Sequence, residues 1–171
     1  IGITGSSGGG WLSVHAAALD ERIKVVVPAA SVRSMREKVD AADAEQAFFD
    51  LQRLGLDFPD LLAFLICPRP LFIVANSNDI WPISTTEYAR EEAHRFYDLL
   101  GREDRIEMKV WERGHEYRTD QFAEAIRWFN RFLKDASECP LSEVDTTPGK
   151  KLDQEDLLVC PRGKVQATGA P

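Results

Sequence analysis

The sequence feature that most constrains this chain lies close to its first residue, where residues 5–9 read Gly-Ser-Ser-Gly-Gly. The pattern Gly-x-Ser-x-Gly is typical of a sharp turn from a strand into a helix, which presents a serine hydroxyl above a sheet. Glycine stands two residues before and two residues after Ser7, where larger side chains would collide in so tight a turn. Ser6 has no such flanks, so the register predicts Ser7 as a nucleophile. On the motif alone, a phosphate-binding loop or a plain flexible loop remains open.

Composition and charge narrow the class of protein. The chain has 171 residues, of which 44% are hydrophobic, enough for one domain with a buried core. Its net charge of −7 argues against nucleic acid as a natural partner, and it has no apolar run long enough to span a bilayer. The three cysteines form neither a metal-site spacing nor a disulfide framework. We expect no metal and no organic cofactor, and the compartment stays open.

Short apolar runs alternate with helical segments along the chain, which indicates the α/β class. A nearly continuous β-branched run at residues 23–27, closed by Pro28, suits a parallel strand buried on both faces. The apolar stretch at residues 71–75 predicts the next buried strand. Residues 106–111 alternate apolar and polar, which predicts a less buried strand at the sheet edge. The last predicted helix, residues 120–134, is expected to bury a stripe of four apolar residues: Phe122, Ile126, Phe129 and Leu133. We therefore predict four successive parallel strands with flanking helices.

Two polar residues come directly after predicted strands. Asp79 ends the turn-rich run Asn-Ser-Asn-Asp after residues 71–75, and His115 follows residues 106–111. Ligands of open α/β sheets gather at the carboxyl ends of strands, so both positions suit catalytic groups. A turn-forming aspartate that caps its own backbone is the alternative for Asp79. His15 lies on the helix that leads away from Ser7, and we interpret it as a packing or surface residue.

The order serine, acid, histidine is that of α/β-hydrolases and differs from the orders in chymotrypsin and subtilisin. In this interpretation His115 takes the proton of Ser7, and Asp79 fixes the imidazole tautomer and stabilises its cation. The backbone N–H of Gly8 supplies one oxyanion donor. The second donor normally comes from a loop earlier in such a fold, and that loop is absent from this sequence.

Three stretches, residues 1–10, 17–24 and 60–74, resemble acetyl xylan esterase-like and dienelactone hydrolase-like α/β-hydrolases, which neighbour the prolyl oligopeptidase catalytic domain. The resemblance covers residues 1–134 and implies that Ser7, Asp79 and His115 match the family triad. Ser6 stands where asparagine is common in the group.

The resemblance implies that residues 1–135 are the C-terminal half of an α/β-hydrolase domain, cut just before the nucleophile turn. Residues 136–171 read as a linker or tail that could lead to a further domain. The substrate pocket has three candidate wall residues: Phe48, Phe49 and Trp81. Ordinary packing is the alternative for each phenylalanine. The missing half of the same domain is the one protein partner we expect.

The predicted function is that of a serine hydrolase of small acyl esters, such as acetylated carbohydrate, acting through an acyl-enzyme. A prolyl oligopeptidase-like peptidase and a hydrolase-derived interaction domain without catalysis are the alternatives. We expect the isolated chain to be inactive, because it lacks one oxyanion donor and leaves a strand edge unpaired.

Overall fold

The computed structural model describes residues 1–34 and 54–134. Four strands form one sheet in the order β1-β2-β3-β4, with every neighbouring pair parallel. Their bounds are Gly2–Ser6 for β1, Val25–Ala29 for β2, Leu71–Asn76 for β3 and Ile106–Trp111 for β4. The predicted α/β architecture with successive parallel strands is confirmed, and β4 lies at an edge of the described sheet with the predicted bounds.

Helices cover both faces of this sheet. They are α1 (Gly8–Leu19), α2 (Phe58–Asp60, which continues into a π-helix, Leu61–Ile66), α3 (Ile83–Leu99) and α4 (Thr119–Leu133). The helices α1, α2 and α3 pack on one face, where Val26 and Ile73 point into a core with Val14, Leu62 and Ala93. On the opposite face α4 packs against its own cluster of strand residues: Val25, Val27, Ala29, Phe72 and Val74. Both faces of β2 and β3 are therefore buried, as their continuous apolar runs predict.

The strand β2 continues through Pro28, where the sequence predicted that it would end. Proline has no N–H to donate, and the pairs recorded between β2 and β3 lie on either side of it, Val26 with Leu71 and Ala29 with Val74. The N–H of Ala30 donates to the carbonyl of Val74 at 2.9 Å, which holds the chain beside β3 past the proline. The pairing of β2 with β3 therefore tolerates the absence of a donor N–H at Pro28.

The buried face of α4 differs from the predicted apolar stripe. Phe122 and Leu133 are each 42% exposed. Phe129 is partly buried and packs against the cluster of strand residues on this face, as predicted. The buried residues of α4 are Gln121, Glu124, Ala125 and Trp128. Two polar side chains can be buried here because each has hydrogen-bond partners: Gln121 contacts Asn76, and Glu124 contacts Lys109 and Arg127.

Some sequence-based predictions fall on residues outside the described ranges. Phe48 and Phe49 belong to this group, as does the predicted tail at residues 136–171. Within residues 1–34 and 54–134, no helix has the length and apolar character needed to cross a membrane.

Candidate active site

Ser7 occupies a strained turn between β1 and α1. Its φ of 54° and ψ of −121° lie where non-glycine residues are rarely found. Two backbone hydrogen bonds hold the turn. The N–H of Ser7 donates to the carbonyl of Ala29 in β2 at 2.9 Å, and the carbonyl of Ser7 accepts the N–H of Trp11 at 3.0 Å. Ser6, by contrast, is the last residue of β1 and pairs with Ala29 in the regular ladder. The two neighbouring serines therefore differ in conformation, and the strained one is Ser7.

The glycines of the turn differ in whether the structure leaves room for a side chain. A methyl group on Gly5 would overlap the backbone carbonyl of Gly9, so Gly5 lets the helix start directly over the strand. A methyl group on Gly10 would lie 2.8 Å from the carbonyl of Ala29 and would overlap the hydroxyl of Ser31. At Gly9 it would meet no described atom within 4 Å. The prediction that a side chain would collide two residues before Ser7 is therefore confirmed at Gly5. After Ser7, the position that has no room for a side chain is Gly10 and not the predicted Gly9.

Gly8, the predicted oxyanion donor, is the first residue of α1. The N–H groups of a first helical turn have no partner within the helix and lie at the positive end of its dipole. A Cβ added at Gly8 would meet no described atom within 4 Å, so the space beside this residue is open. The position suits an oxyanion donor next to the nucleophile.

The loops after β3 and β4 bring Asp79 and His115 together. Nδ1 of His115 lies 2.6 Å from Oδ1 of Asp79, and the same oxygen accepts the N–H of Ile80 at 2.7 Å. The Asp79 side chain is 3% exposed and the His115 side chain 26% exposed. An ionised carboxylate only accepts hydrogen bonds, so Nδ1 carries the proton and Nε2 is left as the basic nitrogen.

Backbone hydrogen bonds align these two loops. The N–H of Ser77 donates to the carbonyl of Trp111 at 2.9 Å, and the N–H of Asn78 donates to that of Arg113 at 3.1 Å. The parallel pairing of β3 with β4 thus continues past the ends of both strands. The acid and the base are therefore held by the same extension of the sheet.

The loop after β4 also reaches across the sheet to β1. Neighbouring strands lie about 4.8 Å apart, so three spacings place β1 roughly 14 Å from β4. The hydroxyl of Tyr117, two residues after His115, nevertheless lies 3.1 Å from that of Thr4 on β1. Thr4 donates its own proton to the carbonyl of Val27 at 2.7 Å, so Tyr117 is the donor to Thr4. The loop that carries His115 thus ends against the strand that leads to Ser7.

Trp81, predicted as a pocket wall, packs against the imidazole. Its ring meets that of His115 edge to face, with centroids 5.2 Å apart and planes at 76°. Only 8% of Trp81 is exposed. The guanidinium of Arg33 lies 4.4 Å from the centre of the Trp81 ring, in cation–π contact. Sequence reasoning missed Arg33, because one arginine in a charged segment carries no signal of its own.

The other polar residues near the site belong to separate interactions. Asp120 pairs with Arg113 through two hydrogen bonds, of 2.9 and 3.0 Å. Burial alone would raise the pKa of Asp120, but the hydrogen bonds to Arg113 outweigh burial and lower the pKa.

His15 stacks on Trp11 with ring centroids 4.0 Å apart, as expected for a packing residue, and burial lowers the pKa of His15. Neither Asp120 nor His15 joins Asp79 and His115.

Comparison with known proteins gave matches among solved structures. No protein-family model matches the sequence, and no curated protein matches it. A family 15 carbohydrate esterase, the glucuronoyl esterase from Caldicellulosiruptor kristjansonii, superposes with a TM-score of 0.67 at 23% identity, covering 88% of this chain and 47% of its own. The glucuronoyl esterase catalytic domain from Hypocrea jecorina gives 0.63 at 21% identity, covering 84% and 46%.

The methylesterase BT1017 is a third structural neighbour, with a TM-score of 0.65 at 22% identity and coverage of 84% of this chain and 32% of its own. The chain spans less than half the length of these three neighbours. At such identities the likeness shows the fold. The described part of the chain therefore has the α/β-hydrolase type of fold, shared with part of the fold of known carboxylic-ester hydrolases.

Proposed function

We propose that the protein is a serine hydrolase of carboxylic esters, with Ser7 as nucleophile, His115 as general base and Asp79 as the acid that orients it. The observation that carries the proposal is the position of the loop after β4. This loop pairs His115 with Asp79 at 2.6 Å and then reaches β1 through Tyr117 and Thr4. One segment of chain thus links the acid, the base and the strand that leads to the strained Ser7.

In the proposed chemistry, each of these residues has one role. Oγ of Ser7 attacks the carbonyl carbon of the ester while Nε2 of His115 takes the hydroxyl proton. The N–H of Gly8 donates to the oxyanion that forms. Asp79 stabilises the imidazolium, which then gives its proton to the leaving alcohol as the ester bond breaks. Water, deprotonated by the same imidazole, attacks the acyl-enzyme, releases the carboxylic acid and restores Ser7.

The substrate proposal comes from the structural neighbours. Two of the three are glucuronoyl esterases and the other is a methylesterase, so we propose an ester carried by carbohydrate as the substrate. Two kinds of ester fit this class: an acetyl group on a sugar hydroxyl, and an ester of a uronic acid, in which the sugar supplies the acyl group.

An assay of the full-length protein on three substrates tests this proposal. We expect hydrolysis of p-nitrophenyl acetate or of a glucuronic acid methyl ester, and none of a peptide p-nitroanilide. Cleavage of the anilide with neither ester hydrolysed would indicate a peptidase. If all three stay intact while the protein is folded, the proposal is wrong and the alternative of an interaction domain without catalysis is favoured.

A further inference from the structure

Asn76 is a buried amide at the end of an otherwise apolar strand. It is the last residue of β3, is 1% exposed, and pairs in register with Trp111 at the end of β4. Its Nδ2 donates to the carbonyl of Glu116 at 2.8 Å. That carbonyl belongs to the residue directly after His115. Asn76 therefore reaches past the end of β4 and holds the loop that carries the base.

Gln121, in the first turn of α4, fixes the orientation of this amide. It is fully buried, and its Nε2 donates to Oδ1 of Asn76 at 2.8 Å. Its Oε1 accepts the backbone N–H of Arg118 at 2.7 Å. A backbone N–H can only donate and a backbone carbonyl can only accept, so the two ends of this chain of bonds set its direction. We name the four linked groups, from Arg118 through Gln121 and Asn76 to Glu116, the amide relay.

The amide relay is one of two sets of hydrogen bonds that hold the backbone on either side of His115. On one side, the N–H of Asn78 donates to the carbonyl of Arg113, two residues before the imidazole. On the other side, Nδ2 of Asn76 holds the carbonyl of Glu116, one residue after it. Both donors belong to the segment that runs from the end of β3 to Asp79. The positions of the acid and of the backbone on either side of the base are therefore set by the same segment.

From this arrangement we infer that Asn76 and Gln121 are positioning residues, which hold His115 at hydrogen-bond distance from Asp79. The inference rests on the proposed function for its role in catalysis. Neither amide contacts the imidazole, so each acts through the backbone of the loop. A change in the amide relay lets the loop shift, and a displacement of about 1 Å in a catalytic group can lower turnover about 10²-fold.

Two substitutions separate positioning from packing. Asn76→Ala removes the amide. Gln121→Glu keeps the size, and one carboxylate oxygen can still accept the N–H of Arg118. While the new carboxyl group is ionised, its other oxygen faces Oδ1 of Asn76 as a second acceptor, so the Asn76 amide must turn and present its own oxygen to the carbonyl of Glu116. A protonated carboxyl would instead donate to Oδ1 and keep the amide in place, and burial favours that form. The bond to the loop is therefore lost in Asn76→Ala, and in Gln121→Glu at a pH high enough to ionise the new carboxyl group.

Tyr97→Phe is the matched control. The hydroxyl of Tyr97 is buried and donates to the carbonyl of Arg69 at 2.6 Å, before the start of β3. This substitution also removes one buried bond from a side chain to the backbone, but at the opposite end of the same strand. It is expected to lower stability and to leave the active loops in place.

The test uses the full-length protein and two measurements: kcat and KM for p-nitrophenyl acetate, and the downfield proton resonance of Nδ1–H of His115. For Asn76→Ala, and for Gln121→Glu at a pH that ionises its carboxyl group, we expect a fall of about 10²-fold in kcat, little change in KM, and a shifted or lost resonance. Tyr97→Phe should keep the wild-type kcat and resonance.

The inference is wrong if folded Asn76→Ala protein keeps the kcat and the resonance of the control. It is also wrong if Gln121→Glu protein keeps both across a pH series from about 6 to about 9, relative to the control at each pH. Should Asn76→Ala fail to fold, the isosteric Gln121→Glu decides the question through that series. If the wild-type protein hydrolyses no ester, the proposed function fails, but the resonance still reports whether the amide relay holds the His115–Asp79 pair.

Discussion

The imidazole of His115 and the carboxylate of Asp79 meet at 2.6 Å although 36 positions separate the two residues in the chain. The contact depends on β3 and β4 lying side by side, so that their following loops continue the pairing of the strands. The Asp79 side chain is nearly inaccessible to solvent, whereas about a quarter of the His115 side chain is exposed. For nucleophilic catalysis, this pair of acid and base also requires a nucleophile within reach of Nε2.

The first prediction concerns the acid. Asp79→Asn keeps the size of the side chain but loses the charge that holds Nδ1 protonated, so the imidazole can adopt the wrong tautomer. We expect turnover of p-nitrophenyl acetate to fall by several orders of magnitude, about 10⁴-fold in serine proteases, with the fold intact by circular dichroism.

Asp120→Asn is the control for this substitution. Asp120 is close to His115 in sequence but pairs with Arg113 and is half exposed. An exposed ion pair contributes about 0–1 kcal/mol to folding, so this variant should keep most of its activity. Greater sensitivity at Asp120 than at Asp79 would mean that the acid has been assigned to the wrong residue.

The glycines around Ser7 give a prediction about stability. Alanine at Gly5 or Gly10 would overlap backbone or buried side-chain atoms, and overpacking of this kind typically destabilises by about 1–3 kcal/mol. Alanine at Gly9 meets no described atom within 4 Å and favours the helix by up to about 1 kcal/mol. Urea unfolding of the three variants measures the difference. Equal destabilisation at Gly9 and Gly5 would contradict the packing described around the turn.

Trp81 gives a prediction that separates packing from positioning. Trp81→Leu removes the ring that contacts His115, while Trp128→Leu removes another buried ring, packed on Phe72 on the opposite face. Both should destabilise, by less than the roughly 3–5 kcal/mol of truncation to alanine. Only Trp81→Leu should lower kcat. A similar kcat for the two variants would show that the aromatic contact does not position the base.

The pH dependence of stability should reflect Glu124. Burial alone would raise the pKa of this carboxyl group, but its bonds to Lys109 and Arg127 outweigh burial and lower the pKa. A carboxyl group with a lowered pKa in the folded state stabilises the protein above the ordinary glutamate pKa of about 4.3, and this stabilisation is lost as the pH falls through the lowered value.

Urea unfolding between roughly pH 6 and pH 3 tests this prediction. Glu124→Gln should destabilise the protein at the upper pH and flatten the loss of stability on acidification. Glu21→Gln, at an exposed glutamate, is the control and should leave the slope unchanged. The same slope in the Glu124 variant as in wild type would mean that this group does not contribute the acid sensitivity.

The elements that were predictable from the sequence are those with local signals. The apolar run of β3 and the alternation of β4 locate both strands to within a residue, and the polar residues that follow them are Asp79 and His115. The chain order of serine, acid and histidine then predicts the arrangement of the candidate site. Each of these signals is contained in a few consecutive residues.

The parts that the sequence did not predict depend on contacts between distant residues. Gln121 is buried in α4 because Asn76 offers it a partner 45 positions earlier, and no periodicity of apolar residues can show this. The contact between Arg33 and Trp81 joins two segments in the same way. At Gly10, the need for glycine comes from Ala29 and Ser31, which approach it from the next strand and its following loop.

The measurement that most directly tests the central claim is labelling of the full-length protein with a serine-directed fluorophosphonate, followed by mass spectrometry of the peptide that contains Ser6 and Ser7. We predict one adduct on Ser7, its loss together with ester hydrolysis in Ser7→Ala, and substantial labelling and hydrolysis in Ser6→Ala. Labelling of Ser6, or unchanged hydrolysis in Ser7→Ala, would contradict the assignment of Ser7 as the nucleophile.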